Sequence, residues 1–230
     1  MTAEPTDHPP FEWIAGHTCL DFANTVTWIG SVHPNERLAS YGDLLEWADQ
    51  AEILDQAALR RLRRAARSAP AAADAALQSA HALREAIHGV FLARAEGREP
   101  EPAASGTLNR FLGQALGRLR LQVEGCACSW VFVDEGDELE RVLWPVAWSA
   151  ASLLTSDDAR LLRRCAADRC GWLFLDRSRN RSRRWCDMKA CGNSAKARRH
   201  YARTRRLKRA GSQQAPRGRA EAAGIQQLRD

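Results

Sequence analysis

Four of the seven cysteines in this 230-residue chain fall between positions 165 and 191 as two equal pairs, Cys165-x4-Cys170 and Cys186-x4-Cys191. No other feature limits the fold as tightly. Two thiolates a few residues apart reach one ion only if the chain turns sharply between them, and spacings of two to four residues allow this. Two such pairs complete a tetrahedral set of soft ligands. Zinc suits that set because it takes four thiolates without redox chemistry. Four thiolates alone also suit an iron–sulfur cluster. A four-thiolate zinc site has no open coordination position, so the expected cofactor is one structural Zn2+. The opening MTAEPTDHPPFEW lacks the charged-then-apolar pattern of an export signal. Together with an odd cysteine total, this favours reduced thiols and a cytoplasmic protein.

The residues around the pairs suggest how they are brought together. Gly171-Trp-Leu-Phe-Leu-Asp176 reads as a strand, Arg177 to Ser182 as a turn, and Arg183-Arg-Trp-Cys186 as the returning strand. The second pair ends in Cys191-Gly-Asn-Ser194, where Asn193 or Ser194 suits the cap of a following helix. A β-hairpin plus a basic helix, as in a treble-clef or ribbon finger, is the expected local fold.

Charge is distributed as unevenly as cysteine. Residues 160–209 hold 18 Lys+Arg against 3 Asp+Glu, whereas residues 1–159 hold 13 against 23. An acidic body joined to a basic end implies contact with phosphates. Lys196, Arg199, Arg203 and Arg206 recur at i, i+3, i+7 and i+10, one helical face, with Arg198 and Arg205 on the adjoining strip. Arg183 and Arg184 enlarge the patch. Double-stranded DNA is the expected partner. RNA is the alternative, with Trp172 or Trp185 stacking on bases if exposed.

Upstream the pattern is mostly helical. Phe11 to Gly16 reads as a short strand and turn, and Leu20 to Val26 as a helix. Asp55 is a candidate N-cap for a helix towards Arg67, ended by Ser68-Ala-Pro70. Residues 71–96 carry a broad apolar stripe ended by Gly97, and residues 108–119 form a further amphipathic helix. The period then changes to two over residues 121–124 and 129–134, and Pro145 opens a helix to Leu154. No segment is long and apolar enough to span a membrane. The expected class is α+β, a mainly helical N-terminal domain with a small β-sheet followed by the finger.

The run Arg164-Cys-Ala, Cys170-Gly-Trp-Leu-Phe-Leu-Asp176, Ser178-Arg-Asn-Arg, Arg183-Arg-Trp-Cys-Asp-Met188, Cys191-Gly-Asn and His200-Tyr-Ala-Arg203 resembles the CGNR zinc finger. Upstream, Leu20-Asp-Phe-Ala-Asn-Thr-Val26 is similar to the opening of the ABATE domain that usually precedes it. The resemblance implies a bacterial stress-related transcription regulator and assigns Cys165, Cys170, Cys186 and Cys191 as metal ligands. The fourth motif letter is Ser194 instead of Arg, which spares the ligands and removes one cationic contact.

On this reading residues 1–10 are a disordered lead, 11–157 the ABATE-like domain, 158–209 the finger and 210–230 a flexible tail. The N-terminal domain senses a small effector or forms a homodimer, and the protein is nucleoid-associated when bound to DNA. Asp21 and Asn24, three residues apart, are candidates to hold the effector, with a purely structural role as the competing reading. No Ser/His/Asp set, phosphate loop or dinucleotide fingerprint is present, so the chain is not expected to be an enzyme. A metabolite-binding or enzymatic N-terminal domain with an accessory finger is the rival. His81 and His88 read as surface or interface residues, and Cys126 and Cys128 as incidental.

Overall fold

The computed structural model describes residues 11–27, 35–133, 136, 138–168 and 170–213. The lead at 1–10 and most of the tail therefore lie outside the described residues. By its internal packing the chain divides into two units, residues 1–192 and residues 193–230. The class is α+β: seven helices and two small antiparallel hairpins are described.

The first unit is built around α4 (Pro70–Ala95), which packs against α1 (Thr18–Ala23), α2 (Tyr41–Gln50), α3 (Gln56–Ser68), α5 (Pro102–Arg118) and α6 (Leu143–Leu154). Local chemistry fixes where these helices start. Ser40 and Asp43 form a reciprocal capping box at α2, and Asp55 accepts the Ala58 N–H at α3. Prolines open α4 and α5, where the missing N–H costs nothing. Gly97 stops the chain after α4 with φ of +68°, a conformation that favours glycine. Leu83, Ile87 and Phe91 give α4 its buried stripe, and Trp47 of α2 meets Phe22 edge-on with ring centroids 4.9 Å apart.

After α5 the chain forms a hairpin, β1 (Leu119–Glu124) and β2 (Ala127–Phe132), through a two-residue turn containing Gly125 at φ +62°. A 3-10 turn at Leu139–Val142 leads into α6, and another at Asp157–Leu161 leads into β3 (Leu162–Arg164).

Here the structure corrects the expected pairing. β4 (Leu173–Leu175) pairs with β3 upstream of it, with Leu162 opposite Leu175 and Arg164 opposite Leu173. Arg183–Cys186 is no strand: the Arg183 N–H is taken by the Asp176 carboxylate at 2.9 Å, so it cannot join a ladder. Phe11–Ile14 is likewise not a strand. That segment meets β4 through one bond, Leu175 N–H to the Ala15 carbonyl at 2.8 Å, then turns at Gly16, φ +83°. The expected helix over 20–26 begins earlier and ends at Ala23.

β4 does not lie on the surface. Trp172, Leu173, Phe174 and Leu175 belong to the same buried cluster as the helices. In the second unit α7 spans Asn193–Gln213. Among the described residues no helix is long and apolar enough to cross a membrane.

Candidate metal centre

Two tight turns present the four cysteines. The first lies between β3 and β4 and carries Cys165 and Cys170. Gly171 leaves it with φ of +73°, which lets the next amide turn back toward sulfur. The Trp172 N–H points at the Cys170 sulfur, and the amides of Cys186 and Ala167 point at Cys165. The second turn is a π-helical turn, Met188–Gly192, held by the Asp187 carboxylate on the amides of Lys189 and Ala190. A Cβ at Gly192 would lie 2.6 Å from the Met188 sulfur, so a larger residue there would displace that exposed, flexible side chain. The Ala166 N–H donates to the Arg184 carbonyl at 2.8 Å and ties one turn to the other.

The four Sγ atoms lie within 4.8 Å of one another, with Cys170 to Cys186 at 3.5 Å and Cys186 to Cys191 at 3.6 Å. A tetrahedron of sulfurs about 2.3 Å from zinc has edges of roughly 3.8 Å. The residues fit the ion. Cys165, Cys170 and Cys186 are buried and Cys191 half-buried. Four thiols this close compete for charge. Hydrogen bonds from Cys170 and Cys186 draw Cys165 well below the usual thiol range, and their bonds to Cys165 hold Cys170 and Cys186 above it. Burial raises Cys191. A divalent cation relieves that competition by favouring thiolate at all four positions. When bound, the zinc cross-links the two turns and leaves no position for substrate.

The remaining sequence candidates fall in different places. Asn24 is buried and clamps β4: its Oδ1 accepts the Leu173 N–H at 3.0 Å, and its Nδ2 donates to the Leu173 carbonyl at 2.9 Å. Asp21, also buried, accepts the Ala15 N–H at 3.0 Å. Arg183 lies 4.4 Å from the Phe174 ring centre and donates to the carbonyls of Ile14, Trp185 and Cys186. Arg184 is exposed, its guanidinium 5.4 Å from the Trp185 ring centre. In α7, Lys196, Arg198, Arg203 and Arg205 are exposed, whereas the side chains of Arg199 and Arg206 lie outside the described residues.

Trp172 is buried and unable to stack on a base: its Nε1 donates to the Val26 carbonyl at 2.8 Å, and Arg37 covers the ring at 5.1 Å. His88 is buried too, not on the surface, and its Nε2 lies 3.0 Å from the carbonyl of the turn residue Gly171. Burial lowers its pKa to about 4, so the ring is neutral and serves as a donor. These residues, which join helices to knuckle, carried no sequence signal beyond being polar or aromatic inside apolar stretches.

A helical domain closed over a paired-knuckle tetrathiolate defines a zinc-binding protein of the finger class. The family model of the ABATE domain, described as a putative stress-induced transcription regulator, matches residues 16–157, and that of the CGNR zinc finger matches residues 161–204. The first match covers more than half the chain, which belongs to the ABATE family and carries a CGNR finger behind that domain. No curated protein matches the chain.

Proposed function

We propose that this protein is a non-catalytic, zinc-stabilised regulator of transcription that binds double-stranded DNA through its basic C-terminal helix. One observation carries the reading. The second cysteine turn runs without a break into α7, where Lys196, Arg198, Arg203 and Arg205 are all exposed. In chain order the closed zinc site is followed directly by a cationic helix, and such a helix suits contact with phosphates. Arg184 adds an exposed cation beside the zinc site, whereas Arg183 gives its guanidinium to backbone carbonyls and contributes little to binding. The ABATE domain supplies the regulatory input, by sensing a small effector or by pairing two copies, in stress-related control at the nucleoid.

Fluorescence anisotropy with a labelled duplex tests this. With about six phosphates engaged, affinity falls about a thousandfold between 50 and 200 mM salt. An affinity flat over that range overturns polyanion binding. Structured RNA that displaces the duplex at equal concentration shifts the reading to RNA.

A further inference from the structure

The β1–β2 hairpin is an arm with one wholly apolar face. Its register places Leu119 opposite Phe132, Leu121 opposite Trp130 and Val123 opposite Cys128, so these six side chains share one side. Arg120, Gln122, Glu124, Ala127, Ser129 and Val131 occupy the other. At its base the apolar face packs on α6, with Phe132 6.3 Å from Trp144 and Trp130 6.4 Å from Trp148 between ring centres. Further out it runs past the helices. Leu121 is 56% exposed, Trp130 59% and Val123 61%, and Cys128 on the same face is exposed too.

That exposure is costly in water. A two-stranded hairpin is marginal without cover on its apolar face, and the four exposed side chains present on the order of 400 Å² of apolar surface. A standard interface buries about 800 Å² per partner, with roughly 65% of it apolar at the core of a homodimer, or about 500 Å². The arm therefore supplies most of the apolar area of one half of such a core. No charged residue lies on this face to select a partner of opposite charge, so an identical face satisfies it.

We infer that the β1–β2 arm is a self-association surface, on which a second copy of this chain packs its own arm about a two-fold axis with Trp130 and Leu121 at the centre. The surface lies in the first unit, so the inference does not depend on the nucleic-acid reading and is tested in the absence of DNA. Cys128 sits at the outer end of the face and is covered by the same contact.

Analytical ultracentrifugation of the zinc-loaded full chain over a concentration series reads the outcome. The expected result is a dimer for the parent protein and for Ser129→Glu, which adds a charge to the opposite face. Trp130→Glu and the double variant Leu121→Lys/Val123→Lys are expected to be monomers, with helical circular dichroism and zinc content unchanged. The dissociation constant is expected to rise by at least about thirtyfold, since a buried aromatic anchor at an interface centre is worth about 2 kcal/mol or more. A monomeric parent overturns the inference, as does a dimer that survives Trp130→Glu. Loss of the dimer in Ser129→Glu as well overturns the assignment to the apolar face.

Discussion

Asp21 and Asn24 stand three residues apart in the sequence and do opposite things to stability. Asn24 supplies one acceptor and one donor to a single buried residue, Leu173, and each bond is worth about 1 kcal/mol net, more where loss strands a buried partner. Asp21 carries a cost. Burial, only partly offset by bonds from the Ala15 and Ile14 amides, raises its carboxyl to about 6. The folded value lies above the unfolded one, so folding takes up a proton. The stability this provides is complete below pH 4 and is lost as pH rises through 6. Asp21→Asn keeps an acceptor for those amides and removes the ionisation. Relative to the parent, its denaturant midpoint is expected to be level near pH 4 and to rise between pH 4 and 6. At pH 7.5 it gains about 1–3 kcal/mol. A difference between the two proteins that is flat with pH would show that the Asp21 carboxyl titrates alike in the folded and unfolded states.

At the scale of elements, what the sequence revealed and what it hid have separate physical causes. Cysteine spacing is a local property, so the ligands Cys165, Cys170, Cys186 and Cys191 were legible, as were the helix start at Asp55 and the break at Pro70, where one side chain or ring decides. Strand pairing is not local. Arg183-Arg-Trp-Cys186 has a strand-like composition, but the Asp176 carboxylate takes the Arg183 amide, and β4 instead pairs with Leu162–Arg164, which has no alternation long enough to stand out. The burial of His88 and Trp172 was equally invisible, because it depends on which helix meets the knuckle. The ligand set has a direct consequence for composition. Cys170→Ser takes one thiolate from a closed site, and zinc measured by elemental analysis after dialysis is expected to drop from about one per chain to near none. Cys126→Ser and Cys128→Ser, on the exposed hairpin, leave it at one. Zinc retained in Cys170→Ser would point to a different fourth ligand.

For the whole molecule, homology and packing cut the chain at different places. The family matches divide it between 157 and 161, whereas internal packing holds residues 1–192 together. The reason is β4, which belongs to the finger by sequence and to the helical core by burial. Trp172, Leu173, Phe174 and Leu175 are nearly or wholly buried in that core, and Asn24, Val26 and His88 bond to their backbone, to the Trp172 indole or to neighbouring Gly171. Burying four such side chains contributes about 6–12 kcal/mol, comparable with the 5–15 kcal/mol net stability of an ordinary domain. A chain cut after residue 157 is therefore expected to show no cooperative thermal transition, although it retains the whole ABATE match. The same coupling ties the cysteine site to the helical core, whose buried cluster includes Cys165, Cys170 and Cys186. Titrating the intact protein with a strong chelator is expected to remove the ion and the helical signal at 222 nm in one transition, since metal binding and folding of the knuckle are a single equilibrium. Two separate transitions, with zinc leaving while the helices persist, would show that β4 stays docked without its ion and that the knuckle is the more independent part.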